Sequence, residues 1–296
     1  MLNFRHIKKS DISKFRKYID FSGKMGCEYN LASIYLWSRE FDLKVAEYNG
    51  ALIKVYLKDN SSVWGYCVPF GENIQEAVEA IIAHAEENGE KAVFDYMSAI
   101  DKQTLEKYFP DKFVYSRQYD TCDYIYLSED LANLSGKKYH AKRNHISKFY
   151  RTYDNSRFEM IDNHNKGDAL AVVQNWCDEN NIDYKSYYEY GIIEEALENA
   201  DEFGMKGALL YVGDVPIAMT LGSAISDICF DINFEKALRQ YEGSYAVINN
   251  EFAKTLTEYK YLNREEDMGL EGLRKSKLSY HPAIIYDRFR AELKDD

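Results

Sequence analysis

The chain has 296 residues, 46% apolar and 29% charged, with 16 Gly and 4 Pro, a composition that supports two domains with buried cores and excludes a collagen-like or disordered polymer. With 37 basic against 49 acidic side chains the formal charge is −12, which argues against non-specific binding to duplex nucleic acid. No apolar run approaches the roughly 18 to 20 residues needed to cross a bilayer, and no apolar signal core follows the first residues, so the expectation is no transmembrane segment and a cytoplasmic address.

Cys27, Cys67, Cys122, Cys177 and Cys229 are odd in number, far apart and mostly set in apolar or aromatic runs, so they read as buried thiols of a reducing compartment. There is no C-x-x-C, and His140 and His145, five apart, would point roughly 140° away from each other on a helix. No metal site is expected.

In chain order, Ser10 precedes Ile12, Phe15 and Ile19 at helical spacing. Phe41 to Leu57 reads as a hairpin about Asn49-Gly50, and Val63 to Pro69 as a strand. Ile74, Ala77, Val78, Ile81, Ile82 and Ala85 trace one helix face that ends before Gly89. Strand Ala92 to Tyr96, helix Lys102 to Tyr108 and strand Phe113 to Leu127 follow. Helices are then expected at Lys137 to Tyr153, Gly167 to Glu179 and Ile192 to Ala200, and a hairpin turns at Gly213-Asp214 between Ala208 and Leu221. A strand from Ala224 to Ile232 leads to a long helix, Ser244 to Tyr259, and a strand from Tyr261 to Asp267. The last elements are a helix from Gly272 to Leu278, stopped by Pro282, and a strand from Ala283 to Arg290. This order is α+β or α/β around mixed sheets, with a boundary near residues 128 to 136 where the apolar pattern is interrupted. The domains are therefore expected to be 1–130 and 131–296.

Three segments can carry chemistry. From Lys137 to Arg151 there are six basic residues, Lys137, Lys138, Lys142, Arg143, Lys148 and Arg151, and no acidic one. On a helix, Lys137, His140, Asn144, Lys148 and Arg151 share a face suited to an anion, while Tyr139, Ile146, Phe149 and Tyr153 share a face suited to packing. The competing reading is a solvated helix whose cations pair with neighbouring carboxylates. The second segment is Arg239 to Tyr245, between a strand and a long helix. There Gly243 allows close backbone approach, and the first helical amides face outward with partial positive charge; a plain loop and N-cap is the alternative. The third is Arg264 to Gly269 followed by Arg274, Lys275 and Lys277. On a strand, Glu265 and Asp267 share a face, and Arg274 and Lys277, three apart on the next helix, can meet one anion. Alternatively these carboxylates and cations pair with each other.

Gln240-x-x-Gly243-x-Tyr245 resembles the Arg/Gln-x-x-Gly-x-Gly/Ala pyrophosphate loop of the GNAT acyltransferase fold, with Tyr245 in place of the small last residue. Nothing between Met1 and Leu127 resembles that loop. Further stretches are similar to the DUF2156 family, related to the C-terminal catalytic domain of phosphatidylglycerol lysyltransferase. They are Tyr126-Leu127; Gly136 to Asn144 with Phe149; Phe234 to Ala237 and Gly243 to Ala246; Asn263 to Glu265 with Asp267 and Gly269; Leu273 to Lys277; and Tyr280-His281-Pro282.

The resemblance implies two tandem GNAT-like domains, only the second with a donor loop. It also implies transfer of an acyl or aminoacyl group, from acyl-CoA or aminoacyl-tRNA, to an amine or hydroxyl of a small molecule or peptide. No tightly bound cofactor is expected. Gln240, Gly243, Ser244, Tyr245, Lys137, Lys142, Arg143, Arg274 and Lys277 take the anion-binding roles, and Asp267 or Glu265 the role of base. The alternative is a non-catalytic module that binds a nucleotide, a phosphometabolite or an RNA end.

Overall fold

The computed structural model describes residues 2–58 and 62–294. The chain forms two compact units: one of residues up to Asp123 with Glu266–Glu271 and the chain from Ile285 on, the other of Tyr124–Glu265 with Gly272–Ile284. Among the described residues no helix is long and apolar enough to cross a membrane.

The first unit contains β1 (Arg5–His6), α1 (Asp11–Phe15), α2 (Leu31–Leu36), β2 (Leu43–Tyr48), β3 (Ala51–Lys58), β4 (Ser62–Tyr66), β5 (Phe70–Gly71), α3 (Ile74–Glu87), β6 (Val93–Met97), α4 (Ala99–Tyr108) and β7 (Phe113–Arg117). Asn49 and Gly50 both have positive φ, the conformation that a two-residue hairpin loop demands, and they set Tyr48 opposite Ala51. Ala77, Val78, Ile81 and Ala85 bury the inner face of α3 in one core with Ile53, Val55 and Phe94. Ser98 and Asp101 close a reciprocal capping box that starts α4. Ser10 makes no such bond, and α1 stops at Phe15 before a 3₁₀ turn.

The second unit contains β8 (Asp123–Leu127), α5 (Ser128–Asn133), α6 (His140–Thr152), β9 (Ser156–Met160), α7 (Lys166–Glu179), α8 (Tyr188–Glu198), α9 (Ala200–Phe203), β10 (Met205–Val212), β11 (Val215–Ala224), β12 (Cys229–Ala237), α10 (Ser244–Lys254), β13 (Tyr261–Asn263) and α11 (Glu271–Leu278), and the chain passes back to the first unit within β14 (Ile284–Tyr286). Its sheet runs β14-β8-β13-β12-β11-β10-β9. The pair β12 and β13 is parallel, so α10 is the crossover between them; it packs its Val247, Ile248 and Phe252 on the sheet with Phe149 of α6.

The last strand, β15 (Phe289–Leu293), belongs to the first unit. It lies antiparallel between β6 and β7, and the sheet order is β1-β2-β3-β4-β6-β15-β7. The expected division into 1–130 and 131–296 therefore differs from the compact units: they change at Asp123, and the C-terminal strand returns to the first because only that pairing completes its sheet. Four expected strands also change. Phe113 to Leu127 is two strands of two different sheets, parted by a 3₁₀ turn at Tyr119–Thr121. Ala224 closes β11, so β12 begins only at Cys229. The strand from Tyr261 stops at Asn263, because Glu265 and Met268 take positive φ; Glu265 and Asp267 are loop residues and do not share a strand face. Ala283 to Arg290 is broken between Tyr286 and Phe289.

Candidate active site

Gly243 caps α10 with φ +95°, a conformation that disfavours any side chain. A Cβ there would also press on α6, 3.1 Å from the His145 carbonyl oxygen and 3.2 Å from Phe149 Cβ. Of the first helical amides expected to take a phosphate, those of Ala246 and Val247 are bonded to the Gly243 carbonyl, and the loop before them is engaged as well. The N–H groups of Arg239 and Gln240 donate to the two carboxylate oxygens of Glu179, at 2.8 and 3.3 Å. Ser244 N–H goes to the Tyr241 carbonyl, and its hydroxyl donates to the Leu238 carbonyl at 3.1 Å. Tyr245 does not point to solvent: its hydroxyl accepts from Trp176 Nε1 at 3.1 Å, and its ring packs on the core. A carboxylate thus sits on the loop that the sequence offers to an anion.

On α6 the packing face is as expected, with Tyr139 and Phe149 fully buried. Several cations are engaged locally. Lys138 pairs with Asp130 at 3.0 Å and Lys148 with Glu242 at 2.6 Å, while Arg143 donates to the Leu134 and Gly136 carbonyls and so holds the turn before the helix. Lys137 is exposed, and Lys142 differs from all of these.

Lys142 reaches inward, with its Nζ 3.6 Å from the centre of the Tyr280 ring. The Arg264 guanidinium lies 5.0 Å from the same ring and 5.8 Å from that of Tyr126. Arg264 Nη2 donates to Glu235 Oε1 at 2.8 Å, and Asn249 Nδ2, from α10, to Glu235 Oε2 at 3.3 Å. Burial opposes the Arg264 charge, but Glu235 and the two tyrosines outweigh it and hold the guanidinium ionised. The Lys142 amine is pushed down to about 8, first by burial and then by the charge of Arg264, with Glu235 opposing. Burial likewise lifts the Tyr280 hydroxyl to about 12.

Two polar atoms of this cluster, Arg264 Nη1 and Asn249 Oδ1, are buried and without a partner. They flank the same carboxylate. A buried orphan of this kind costs roughly 1–3 kcal/mol, which a substrate that offers an acceptor to Arg264 and a donor to Asn249 recovers.

The geometry has a local cause. Between β11 and β12 the register slips, so that Leu221 faces Phe234 while Ser223 faces Asp231. Ile232 and Glu235, which strict alternation puts on opposite faces, therefore both turn toward α10: Ile232 joins the core, and Glu235 receives Asn249. Gly222 makes the bulge feasible, since a Cβ there would lie 2.0 Å from the Asp231 carbonyl oxygen. Tyr126 donates its hydroxyl to the Lys277 carbonyl at 2.8 Å, which ties α11 to β8 beneath the cluster.

The remaining candidates lie elsewhere. Lys277 is buried and spends its ammonium on the carbonyl oxygens of Arg264, by a short contact, and of Glu265, at 3.0 Å; it shapes the Arg264 loop and does not join Arg274, half-exposed on α11, in a common anion site. The Glu265 carboxylate accepts from Asn233 at 3.3 Å. Asp267 belongs to the first unit, is fully buried, and accepts the Gly269 N–H at 2.9 Å in the turn that follows. Also in the first unit, Cys27, Asp123 and Glu266 have metal-ligand spacing, but a guanidinium already fills the place of a cation: Arg288 Nη2 is 2.7 Å from Asp123 and 3.3 Å from Cys27 Sγ.

Reading by residue type missed Glu235, Arg264, Asn249, Tyr126 and Tyr280. A signal was present, because Tyr126, Lys142, Glu235, Arg264 and Tyr280 come from five of the separate stretches that carry the family resemblance, and the fold of the second unit gathers them around one aromatic ring.

Residues 20–292 match the family model described as phosphatidylglycerol lysyltransferase, C-terminal. The chain belongs to this DUF2156 family. It is 31% identical to a conserved protein of unknown function from Bacteroides thetaiotaomicron, with a TM-score of 0.91 over 99% of this chain and 100% of that one. The C-terminal DUF2156 domain of an Agrobacterium fabrum protein shares the fold at 14% identity, with a TM-score of 0.67 over 97% and 93% of the two chains. An uncharacterized protein of Mycoplasmoides gallisepticum is 22% identical over 207 residues, which are 69% of this chain and only 65% of that relative. The fold is the one expected from the family resemblance, with a mixed sheet in each of two units.

Proposed function

We propose that the second unit transfers an acyl group, and specifically an aminoacyl group, from an activated ester to an amine or hydroxyl acceptor. The observation that carries this reading is the cluster around Tyr280. A permanently charged guanidinium with one unpaired donor shares the Tyr280 ring with an amine whose pKa is pushed down to about 8. Acyl transfer needs a hydrogen-bond donor where the carbonyl oxygen becomes negative, and Arg264 Nη1 supplies one in a buried setting where a charged donor is most effective. Asn249 Oδ1 and Glu235 offer acceptors for an amino group on the transferred acyl moiety.

An ester of an RNA end is favoured over a CoA thioester because Glu179 and Tyr245 occupy the loop that would hold a pyrophosphate. The family description, a lysyltransferase, agrees with an aminoacyl donor. The exposed Lys137, His140 and His145 on and before α6 give such a donor a basic approach in an otherwise acidic protein.

The test is incubation of the protein with a pool of aminoacyl-tRNAs or with acyl-CoA thioesters, together with amine and hydroxyl acceptors, followed by mass spectrometry of the acceptors. Product from the tRNA pool alone is expected. Product from the thioesters overturns the choice of donor, and saturable binding without product makes the protein a binding module, a reading that the occupied loop also favours.

A further inference from the structure

We propose that Lys142 is the proton acceptor of the transfer reaction, a catalytic base on α6 and not an anchor for the donor's phosphates. This rests on the acyl-transfer reading and assigns a step within it. Sequence alone groups Lys142 with its cationic neighbours, but geometry separates it from them. Lys138 and Lys148 each hold a carboxylate, and Arg143 holds two carbonyls. Lys142 turns its Nζ onto the face of Tyr280.

The charged and titratable groups facing Lys142 from the surrounding elements are Arg264 after β13, Glu235 on β12 and Tyr280 after α11. Glu235, which accepts from Arg264 and Asn249, opposes the downward shift of Lys142 and is outweighed. The Arg264 guanidinium, a permanent cation, lies 5.0 Å from the centre of the Tyr280 ring that Lys142 covers. Burial and that like charge both favour the neutral amine. An amine poised near the working pH is suited to taking up a proton, and an anchor for phosphates is better served by an ammonium that stays charged.

The step balances without a further reagent. As the acceptor's nitrogen or oxygen attacks the acyl carbon, the neutral Lys142 amine takes its proton and becomes an ammonium, while the carbonyl electrons move to the oxygen beside Arg264 Nη1. When the carbonyl re-forms, the bond to the leaving oxygen breaks, and the Lys142 ammonium returns the proton to that oxygen. Acyl ester plus N–H or O–H acceptor gives amide or new ester plus alcohol, and Lys142 ends neutral.

The experiment has two arms, both on the full chain. In the first, trace labelling with an amine-reactive anhydride is followed across pH by peptide mapping. Lys142 is expected to reach half-maximal reactivity near pH 8, below the ordinary lysine value of 10.5. In the second, Lys142→Arg and Lys142→Met are compared with the parent. Arginine keeps the charge but cannot release its proton, so both variants are expected to lose on the order of 100-fold in kcat and the acidic limb of the pH profile, the rise in rate as Lys142 loses its proton, with little change in KM. Near-parent activity of Lys142→Arg beside a raised KM of Lys142→Met overturns the base and makes Lys142 an anion anchor. Labelling of Lys142 only near the ordinary lysine value of 10.5 overturns the base whether or not the protein is a transferase. Early labelling in a protein that turns over no donor overturns the transfer reading itself, and the base with it.

Discussion

Each unit buries an arginine, and the two are finished differently. In the first, Arg288 is 2% exposed and set between two carboxylates: Nη1 is 2.6 Å from Glu28, an ion pair without hydrogen-bond geometry, and Nη2 is 2.7 Å from Asp123 and 3.3 Å from Cys27 Sγ. In the second, Arg264 has one carboxylate, two aromatic rings and an Nη1 with no partner. A guanidinium between two carboxylates has its charge more than balanced, so its role is to join segments far apart in the chain. One with a single carboxylate and a second cationic side chain at the same ring keeps an excess of positive charge for an anionic or polarised group of a substrate. Burial of a charge does not mark a site, and neither does an unpaired N–H, which both arginines have; the unbalanced charge does.

The largest effect expected is at the closed cluster. Arg288→Met strands Glu28 and Asp123 without a cation and should cost about 3–5 kcal/mol in chemical denaturation. A loss below ~1 kcal/mol would mean that the carboxylates rearrange freely and that the contrast with Arg264 is overdrawn. The same cluster predicts a pH effect. Burial, against the pull of Arg288, raises the Glu28 carboxyl from 4.5 to about 7. Between those values the folded chain binds the more protons, so stability is highest below pH 4.5 as far as this group is concerned, falls as pH rises, and levels off above about 7. Glu28→Gln should remove that slope, as urea midpoints at the two ends of the window would show.

Next is Arg264→Gln. Loss of the carbonyl-facing donor should lower kcat by roughly 100- to 1000-fold, whereas stability should fall much less than for Arg288→Met because Glu235 keeps Asn249. A fall in stability parallel to kcat would show that the two arginines do the same job. Lys142 should also titrate higher in this variant, since the like charge beside it is gone.

Much of the fold is legible where one residue forces a local geometry. Asn49-Gly50 and Gly213-Asp214 set their hairpins, and the apolar spacings of α3 and α6 name the faces that are buried. Legibility fails where the decision is non-local. The polar stretch from Ser116 to Thr121 interrupts the segment from Phe113 to Leu127, but nothing local says that its halves pair in different sheets, and β15 finds its place only between two strands from the first half of the chain. The loop at Glu265 and Met268 takes positive φ without a glycine to announce it. In the site, Lys142 is conspicuous by charge, but what makes it unusual is Tyr280 and Arg264, which only the fold brings near.

Asp267 tests the strand reading directly. Its carboxylate, fully buried, accepts the Gly269 N–H of a turn of the first unit whose Met268 and Leu270 are exposed. Asp267→Asn weakens a charge-assisted bond, so a loss of about 1–2 kcal/mol in stability is expected, with kcat per folded molecule within a few-fold of the parent. A 100-fold fall in kcat with folding and donor affinity unchanged would restore Asp267 as the base and displace Lys142.

The smallest effect concerns the loop before α10. Glu179 places a carboxylate on the Arg239 and Gln240 amides, in the loop that leads into α10, and so sets a negative charge beside the turn expected to take a phosphate. Glu179→Gln keeps the size and removes the charge. A single charge at a helix N-terminus is worth about 0.3–1 kcal/mol, so the variant should bind CoA and inorganic pyrophosphate only about two- to five-fold more tightly in calorimetry. That leaves Tyr245, fixed by Trp176, still in the way. Tight CoA binding by the unmodified protein would show that Glu179 yields readily. The loop would then be open, the thioester would return as donor, and the contrast would lie wholly between Arg288 and Arg264.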